Sequence, residues 1–253
     1  MNELEEAFKG YVFYPEDHHY ELDGKRVGTS VTTLIHEYSN IFDKEGLSKR
    51  QSEKLNIPQS EILEKWRLDN LYSTAKGTLV HLYAQALWND EEVELNYDQY
   101  KELDIESLKK SVENSCIQAK KFYLDHKDTL KIFRDEFIVG SIEYDIAGSI
   151  DNLLINKDSD TLVLIDYKTN KEIKFNSFNN KKMLYPIDNI EDCNYIHYSL
   201  QLNIYKYLIE NYTSIKVKNV FLVYFNELEK DYHKFKVLNL KNEAIKLLET
   251  RRI

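Results

Sequence analysis

Two apolar, β-rich runs at residues 150–155 and 162–165 flank the turn-like Asn156-Lys157-Asp158-Ser159-Asp160, and each run meets one carboxylate, Asp151 and Asp166. Runs of this length on either side of a polar turn predict an antiparallel hairpin. Residues i and i+2 of a strand share a face, so Asp166 and Lys168 project together while Tyr167 points away. Pairing the two runs brings Asp151 beside them. Asp166 also interrupts an apolar strand end, Leu162-Val163-Leu164-Ile165, where a charge is costly unless a partner or cation offsets it. Gly148, three residues before Asp151, allows a bulge or a close approach of backbone. Two carboxylates and an ammonium gathered at a sheet edge suit phosphodiester hydrolysis assisted by a divalent cation, with the lysine steering water or neutralising a phosphate oxygen. The plainer alternative is an amphipathic hairpin with solvated ion pairs.

The remaining periodicities surround this hairpin with alternating elements. Residues 11–31 alternate polar and apolar side chains around Asp23-Gly24, a hairpin signal, and Thr29 or Ser30 is placed to cap a helix reaching about Tyr38. Residues 44–72 read as helical with mixed charge, broken near Pro58. A further helix opens at Gly77 and runs to about Trp88, with Leu79, Tyr83, Ala86 and Leu87 at helical spacing. Residues 104–126 form a longer amphipathic helix. Strands are expected at 131–139, 145–155 and 161–168, then a long loop at 170–195 and a helix at 197–210. Strands at 217–225 and 232–237 and a helix from Lys241 complete the pattern. It is α/β: a mixed sheet with helices on both faces, and an N-terminal hairpin and helical region beside the cleft.

Two of these helices carry further spacings. Gly77 and His81 are four apart and share a face, the glycine letting another element approach the histidine; the plainer reading is a structural histidine. Gln201 and Tyr205 also share a face, with His197 one turn earlier. The ordered set Gly-x-x-x-His (Gly77 to His81), Gly-x-x-Asp (Gly148 to Asp151), Asp-x-Lys-Thr (Asp166 to Thr169) and Gln-x-x-x-Tyr (Gln201 to Tyr205) resembles the RecB-like exonuclease branch of the PD-(D/E)XK nuclease superfamily. The resemblance covers residues 75–210, with weaker similarity to phage and large-virus members over most of the chain. It implies a restriction-endonuclease-like sheet core, with residues 1–253 as one nuclease domain: a hairpin and helical part at 1–75 and a catalytic core at 76–253. Carried over, His81, Asp151 and Asp166 are metal ligands, with the Tyr167 carbonyl as a further one. Lys168 is the catalytic lysine, and Gln201 and Tyr205 flank the site and position DNA. Glu136 matches an acidic position upstream of the hairpin, where it binds a second metal, holds Lys168 by a salt bridge, or simply marks a charged strand edge. The first acid follows Ser149-Ile150 rather than a proline, a variation common in this branch.

The implied activity is a Mg²⁺- or Mn²⁺-dependent deoxyribonuclease acting on single-stranded DNA or duplex ends, alongside replication or recombination proteins. A structure-specific endonuclease and a non-catalytic binding subunit with the same fold are the alternatives, and oligomeric state stays open. Cys116 and Cys193 are too few for the four-thiolate iron–sulfur cluster of some relatives, so none is expected. There is no apolar run long enough to span a membrane, and an acidic start without a signal-peptide pattern leads us to expect a cytoplasmic protein, here of a virus- or phage-infected host. Net charge is −9, the sign that repels DNA, but its distribution matters more than its sum. Residues 90–106 hold eight acids and one lysine and read as a solvated segment remote from DNA. Lys171, Lys174, Lys181 and Lys182 follow the second acidic strand, opposed only by Glu172, with Phe175 and Phe178 interleaved; they are candidates for phosphate contacts and base stacking.

Overall fold

Asp23 and Gly24 both take positive φ, 50° and 77°, the backbone that a two-residue hairpin turn demands. The structure, a computed structural model, describes residues 2–252. It opens with helix α1 (Asn2–Ala7) and strands β1 (Tyr11–Tyr14), β2 (His19–Leu22) and β3 (Lys25–Arg26). These three strands make a separate antiparallel sheet. The Asp23-Gly24 turn joins β2 to β3, and a second turn at residues 15–18 joins β1 to β2, so the expected single hairpin is a three-stranded one.

Next come β4 (Thr29–Ser30), α2 (Val31–Glu37), α3 (Lys44–Leu55), α4 (Gln59–Asn89) and α5 (Ile105–His126). Ser30 caps α2, its hydroxyl accepting the Thr33 N–H at 3.0 Å, and Asp104 caps α5 through the Ser107 N–H at 3.1 Å; each such cap is worth about 1 kcal/mol. The expected helix start at Gly77 is not there. Gly77 lies inside α4, a continuous helix of 31 residues. One interior glycine costs only about 1 kcal/mol, and packing of Ala75, Leu79, Val80 and Trp88 against α5 outweighs it. A methyl at Gly77 would meet Thr169 Oγ1 at 3.5 Å, ordinary contact, so no close approach requires the glycine.

The main sheet follows: β5 (Leu130–Ser141), β6 (Ile146–Asn156), β7 (Thr161–Lys168), then α6 (Asn194–Tyr212), β8 (Val217–Tyr224), β9 (His233–Lys236) and α7 (Lys241–Glu249). Its order is β4-β6-β7-β8-β9, with β5 also paired to β6. The β6–β7 hairpin is antiparallel, and β7 and β8 are parallel, a pairing that needs the α6 crossover between them. Alternation along β7 divides the core. Leu162 and Leu164 join the cluster with α2, α6 and α7, whereas Val163, Ile165 and Tyr167 join the cluster with α4 and α5. Each fully buried Leu, Ile, Val or Phe contributes roughly 1.5–3 kcal/mol. Asp166 and Lys168 therefore point toward α6. The fold is a mixed α/β sheet flanked by helices with an N-terminal antiparallel sheet, consistent with a restriction-endonuclease-like architecture.

Candidate active site

β6 and β7 stay paired from Asn156↔Thr161 to Asn152↔Ile165. At the next position Asp151 Oδ2 accepts the Tyr167 backbone N–H at 2.8 Å, so the side chain takes over a strand donor and is fixed beside the end of β7. On the α6 side, Lys168 Nζ lies 2.6 Å from Asp166 Oδ2. Asp166 is 2 % exposed, yet that oxygen has no aligned hydrogen-bond donor. The contact is one of charge rather than a directed hydrogen bond. The ammonium also sits 4.6 Å from the Tyr198 ring centroid, a cation–π contact. Asp166 and Lys168 thus share a face as expected, while Tyr167 packs on the opposite layer, stacked on Phe225 and accepting a hydrogen bond from Trp88 Nε1 at 2.9 Å.

His81 reaches the same strand end from α4. A carbonyl can only accept, so the 3.1 Å contact between His81 Nε2 and the Tyr167 oxygen puts the proton on Nε2. Nδ1 then turns its lone pair toward Asp151 Oδ2, 3.6 Å away. A lone pair facing a carboxylate is repulsive unless a proton or a cation lies between them. Burial, then the Lys168 charge, holds the His81 pKa below its ordinary value, which favours a neutral, ligating imidazole. Burial, then the Asp166 charge, pushes Asp151 well above the carboxylate range. Burial works against the Lys168 ammonium, but Asp166 and Asp151 outweigh it and keep the lysine above its usual value.

Glu136 completes the group: ligand atoms of His81, Glu136 and Asp151 all lie within 4.8 Å of one another. Its φ is 43° in the middle of β5, the left-handed region that a non-glycine residue occupies at a cost of roughly 1–3 kcal/mol. Gln85 Nε2 and Ser149 Oγ donate to its two oxygens at 2.7 Å each, which orients the carboxylate toward the histidine. Of the alternatives for Glu136, the salt bridge to Lys168 is not formed, because Lys168 is engaged by Asp166. Of the expected ligand set, His81 and Asp151 converge with Glu136, while the Tyr167 carbonyl is taken up by His81 Nε2 and the Asp166 carboxylate faces Lys168. Two carboxylates and one imidazole with its lone pair directed inward fit a hard divalent cation.

The remaining expected residues flank this centre. Gln201 Nε2 donates to the Tyr205 hydroxyl at 3.1 Å. Tyr205 is buried, and its ring lies where a Cβ on Gly148 would stand, 2.6 Å from Cε1; the glycine before Asp151 is what lets α6 approach β6. His197 pairs with Asp192 at 2.7 Å rather than with the catalytic groups. Lys171, Lys174, Lys181 and Lys182 are all exposed, Lys182 with Glu191 at 3.8 Å. Phe178 and Phe175 are both exposed, Phe175 also packing on Tyr195 and Phe235. Gln85, Ser149, Tyr198 and Tyr20 were missed from sequence. Gln85 sits four residues after His81, and Ser149 two before Asp151, spacings that place each on its neighbour's face. Tyr20 comes from β2; burial, then the charge of Glu136, pushes its hydroxyl up to about 12, and no local signal links it to the centre.

Seventeen solved chains match this one. In one of them, the crystal structure of SSO0001, the likeness has 18 % identity and a TM-score of 0.32, over 61 % of this chain and 66 % of that one, just under two thirds of its length. A search of curated proteins returns no match. The family model of the PD-(D/E)XK nuclease superfamily, by contrast, matches residues 33–251 and so takes in α4, the β6–β7 hairpin and α6 in one stretch. Helix, acidic hairpin and crossover helix lie within a single family match, and the chain belongs to the PD-(D/E)XK nuclease superfamily, whose members are divalent-metal-dependent nucleases.

Proposed function

We propose that this protein is a Mg²⁺- or Mn²⁺-dependent deoxyribonuclease of the RecB-like branch, acting as an exonuclease in phage or viral DNA replication, recombination or repair inside the infected host cell. The observation that carries the reading is the convergence of His81, Glu136 and Asp151 beside the Asp166–Lys168 pair. A bound divalent cation supplies a Lewis acid and a water activated at neutral pH. His81, Glu136 and Asp151 would hold it, with the Tyr167 carbonyl and the Asp166 carboxylate as the further ligands the resemblance implies. Lys168 places a positive charge where negative charge grows on phosphate. Gln201 positions the strand, its amide held by the hydroxyl of the buried Tyr205, and Lys171, Lys174, Lys181 and Lys182 meet its phosphates. One imidazole among oxygen donors makes Mn²⁺ at least as good a cofactor as Mg²⁺. Two cysteines cannot ligate an iron–sulfur cluster. The whole of 1–253 acts as one nuclease domain, since α4 runs unbroken across the junction between residues 1–75 and 76–253. No helix among the described residues is long and apolar enough to cross a membrane.

The test is hydrolysis of end-labelled single-stranded, duplex and circular DNA with Mg²⁺, Mn²⁺ or EDTA. Nucleotides released from ends with either metal, surviving circles and no reaction in EDTA are expected. Nicked circles would instead identify a structure-specific endonuclease, and binding without hydrolysis a non-catalytic subunit. Full activity in EDTA would overturn the metal chemistry.

A further inference from the structure

The three side chains that could hold a cation are not equally well anchored. His81 is fixed by its contact with the Tyr167 carbonyl, and Asp151 by the Tyr167 N–H. Glu136 has neither a buried setting nor a ladder pair. It is exposed, and the pairs on either side of it, Asp135↔Asn152 and Phe137↔Ile150, leave it opposite Asp151 with no pairing of its own. Directly opposed like charges repel, and a glutamate side chain has the rotamer freedom to turn away. Two neutral donors oppose that movement: Gln85 Nε2 on Oε1 and Ser149 Oγ on Oε2, both at 2.7 Å.

Those donors come from the elements that carry the other two side chains. Gln85 lies four residues after His81 on α4, on the same face, and Ser149 two before Asp151 on β6. The same face of α4 reaches β5 again one turn on, where Asn89 Nδ2 donates to the Gln85 carbonyl at 3.1 Å and to Asp135 Oδ2 at 3.4 Å. Glu136 is therefore gripped by α4 and β6 together, and its place follows from how α4 packs on the sheet. The consequence concerns cation size. A carboxylate oxygen has about two lone pairs, so each Glu136 oxygen keeps one for a cation while the protein holds the other. Mg²⁺ demands near-ideal octahedral geometry, whereas Ca²⁺ takes more oxygen ligands in flexible arrangements. A pinned carboxylate favours the ion that needs a fixed geometry over the one that needs ligands free to adjust. We propose that Gln85 and Ser149 are positioning residues that, by pinning Glu136, set both the affinity of the metal centre and its preference for small divalent cations over Ca²⁺. The proposal rests on the reading of His81, Glu136 and Asp151 as a metal centre and on nothing about the substrate.

Metal binding to the full-length protein tests this without any substrate. Mn²⁺ affinity is measured by titration calorimetry, and Mg²⁺ and Ca²⁺ are ranked by competition against Mn²⁺. Gln85→Ala and Ser149→Ala should each weaken Mn²⁺ binding about tenfold or more, the scale of losing a hydrogen-bond partner of a ligating group. Mg²⁺ should lose more affinity than Ca²⁺. Ser149→Thr keeps the hydroxyl and should bind like wild type. In a Glu136→Ala background, Gln85→Ala should cause no further loss, because its route to the cation is gone. Metal-free melting of the single variants should fall by no more than about 2–4 °C, the scale of one lost hydrogen bond. Unchanged Mn²⁺ affinity in both alanine variants, or an undiminished second loss in the Glu136→Ala background, overturns the positioning role. Equal losses for Mg²⁺ and Ca²⁺ overturn the size preference. A wild type that binds no divalent cation removes the metal centre and the proposal with it. A wild type that binds Mn²⁺ no better than the two alanine variants leaves the centre standing and sinks the proposal alone.

Discussion

Lys168 stands between a carboxylate at 2.6 Å and the face of Tyr198, a setting that keeps it charged without using it to fill space. Lys168→Ala should therefore lower the hydrolysis rate by on the order of 10²-fold or more, the scale of losing one electrostatic stabiliser. Mn²⁺ affinity by titration calorimetry should stay close to wild type; a near-normal rate would make the lysine structural. Gly148 gives a second residue-scale prediction. A methyl there would overlap the buried Tyr205 ring at 2.6 Å, so Gly148→Ala should destabilise by roughly 1–3 kcal/mol, as overpacking does. A companion Tyr205→Leu change should recover part of the melting temperature, and full stability of the single variant would contradict the packing. At this scale the sequence was readable where a period governs. Strand alternation placed Asp166 and Lys168 on one face, and helix spacing paired Gln201 with Tyr205. Glu136 could not be read the same way, because nothing about a glutamate announces a φ of 43°.

Among elements, the connection after β8 is held by a polar clamp on α4 and α5. Lys76 is 5 % exposed, and its ammonium meets Glu227 Oε2 at 2.8 Å; Ser111 donates to the same oxygen. Gln118 Nε2 donates to the Asn226 and Glu229 carbonyls at 2.6 and 3.0 Å. Glu227→Ala strands a buried ammonium, which in a fully buried pair costs about 3–5 kcal/mol. Glu227 itself is partly open to water, so we expect about 2 kcal/mol in chemical denaturation. Lys76→Met added to that variant should restore most of the loss, and no restoration would mean that the clamp acts through its hydrogen bonds to Ser111 and the loop. Most element boundaries were legible from caps and periodicity, notably Ser30 and Asp104. The length of α4 was not, since Gly77 and the surrounding mixed charge resemble a break until the α5 packing is known.

Over the whole molecule, the two helical layers meet at one end of the sheet, and the charges collected there link stability to metal and pH. Asp151 has its pKa raised on folding, so the metal-free fold binds more protons there than the unfolded chain. That contribution is fully present below the ordinary carboxylate value and is lost as pH rises through the raised one. A divalent cation replaces those protons. The rise in melting temperature on adding Mn²⁺ should be small near about pH 5 and grow toward about pH 8; a shift independent of pH would place the ion away from Asp151. The sequence implied this meeting point but not its layering, which depends on α6 crossing from β7 to β8. The long helix has one more consequence. Both tryptophans of the chain lie on it, 22 positions apart, a rise of about 33 Å: Trp66 packs on Phe42 in the segment before α3, and Trp88 bonds the Tyr167 hydroxyl at the strand end. One helix thus carries two intrinsic fluorophores in separate surroundings, and in a Trp66→Phe variant the emission that remains follows the metal-holding end alone.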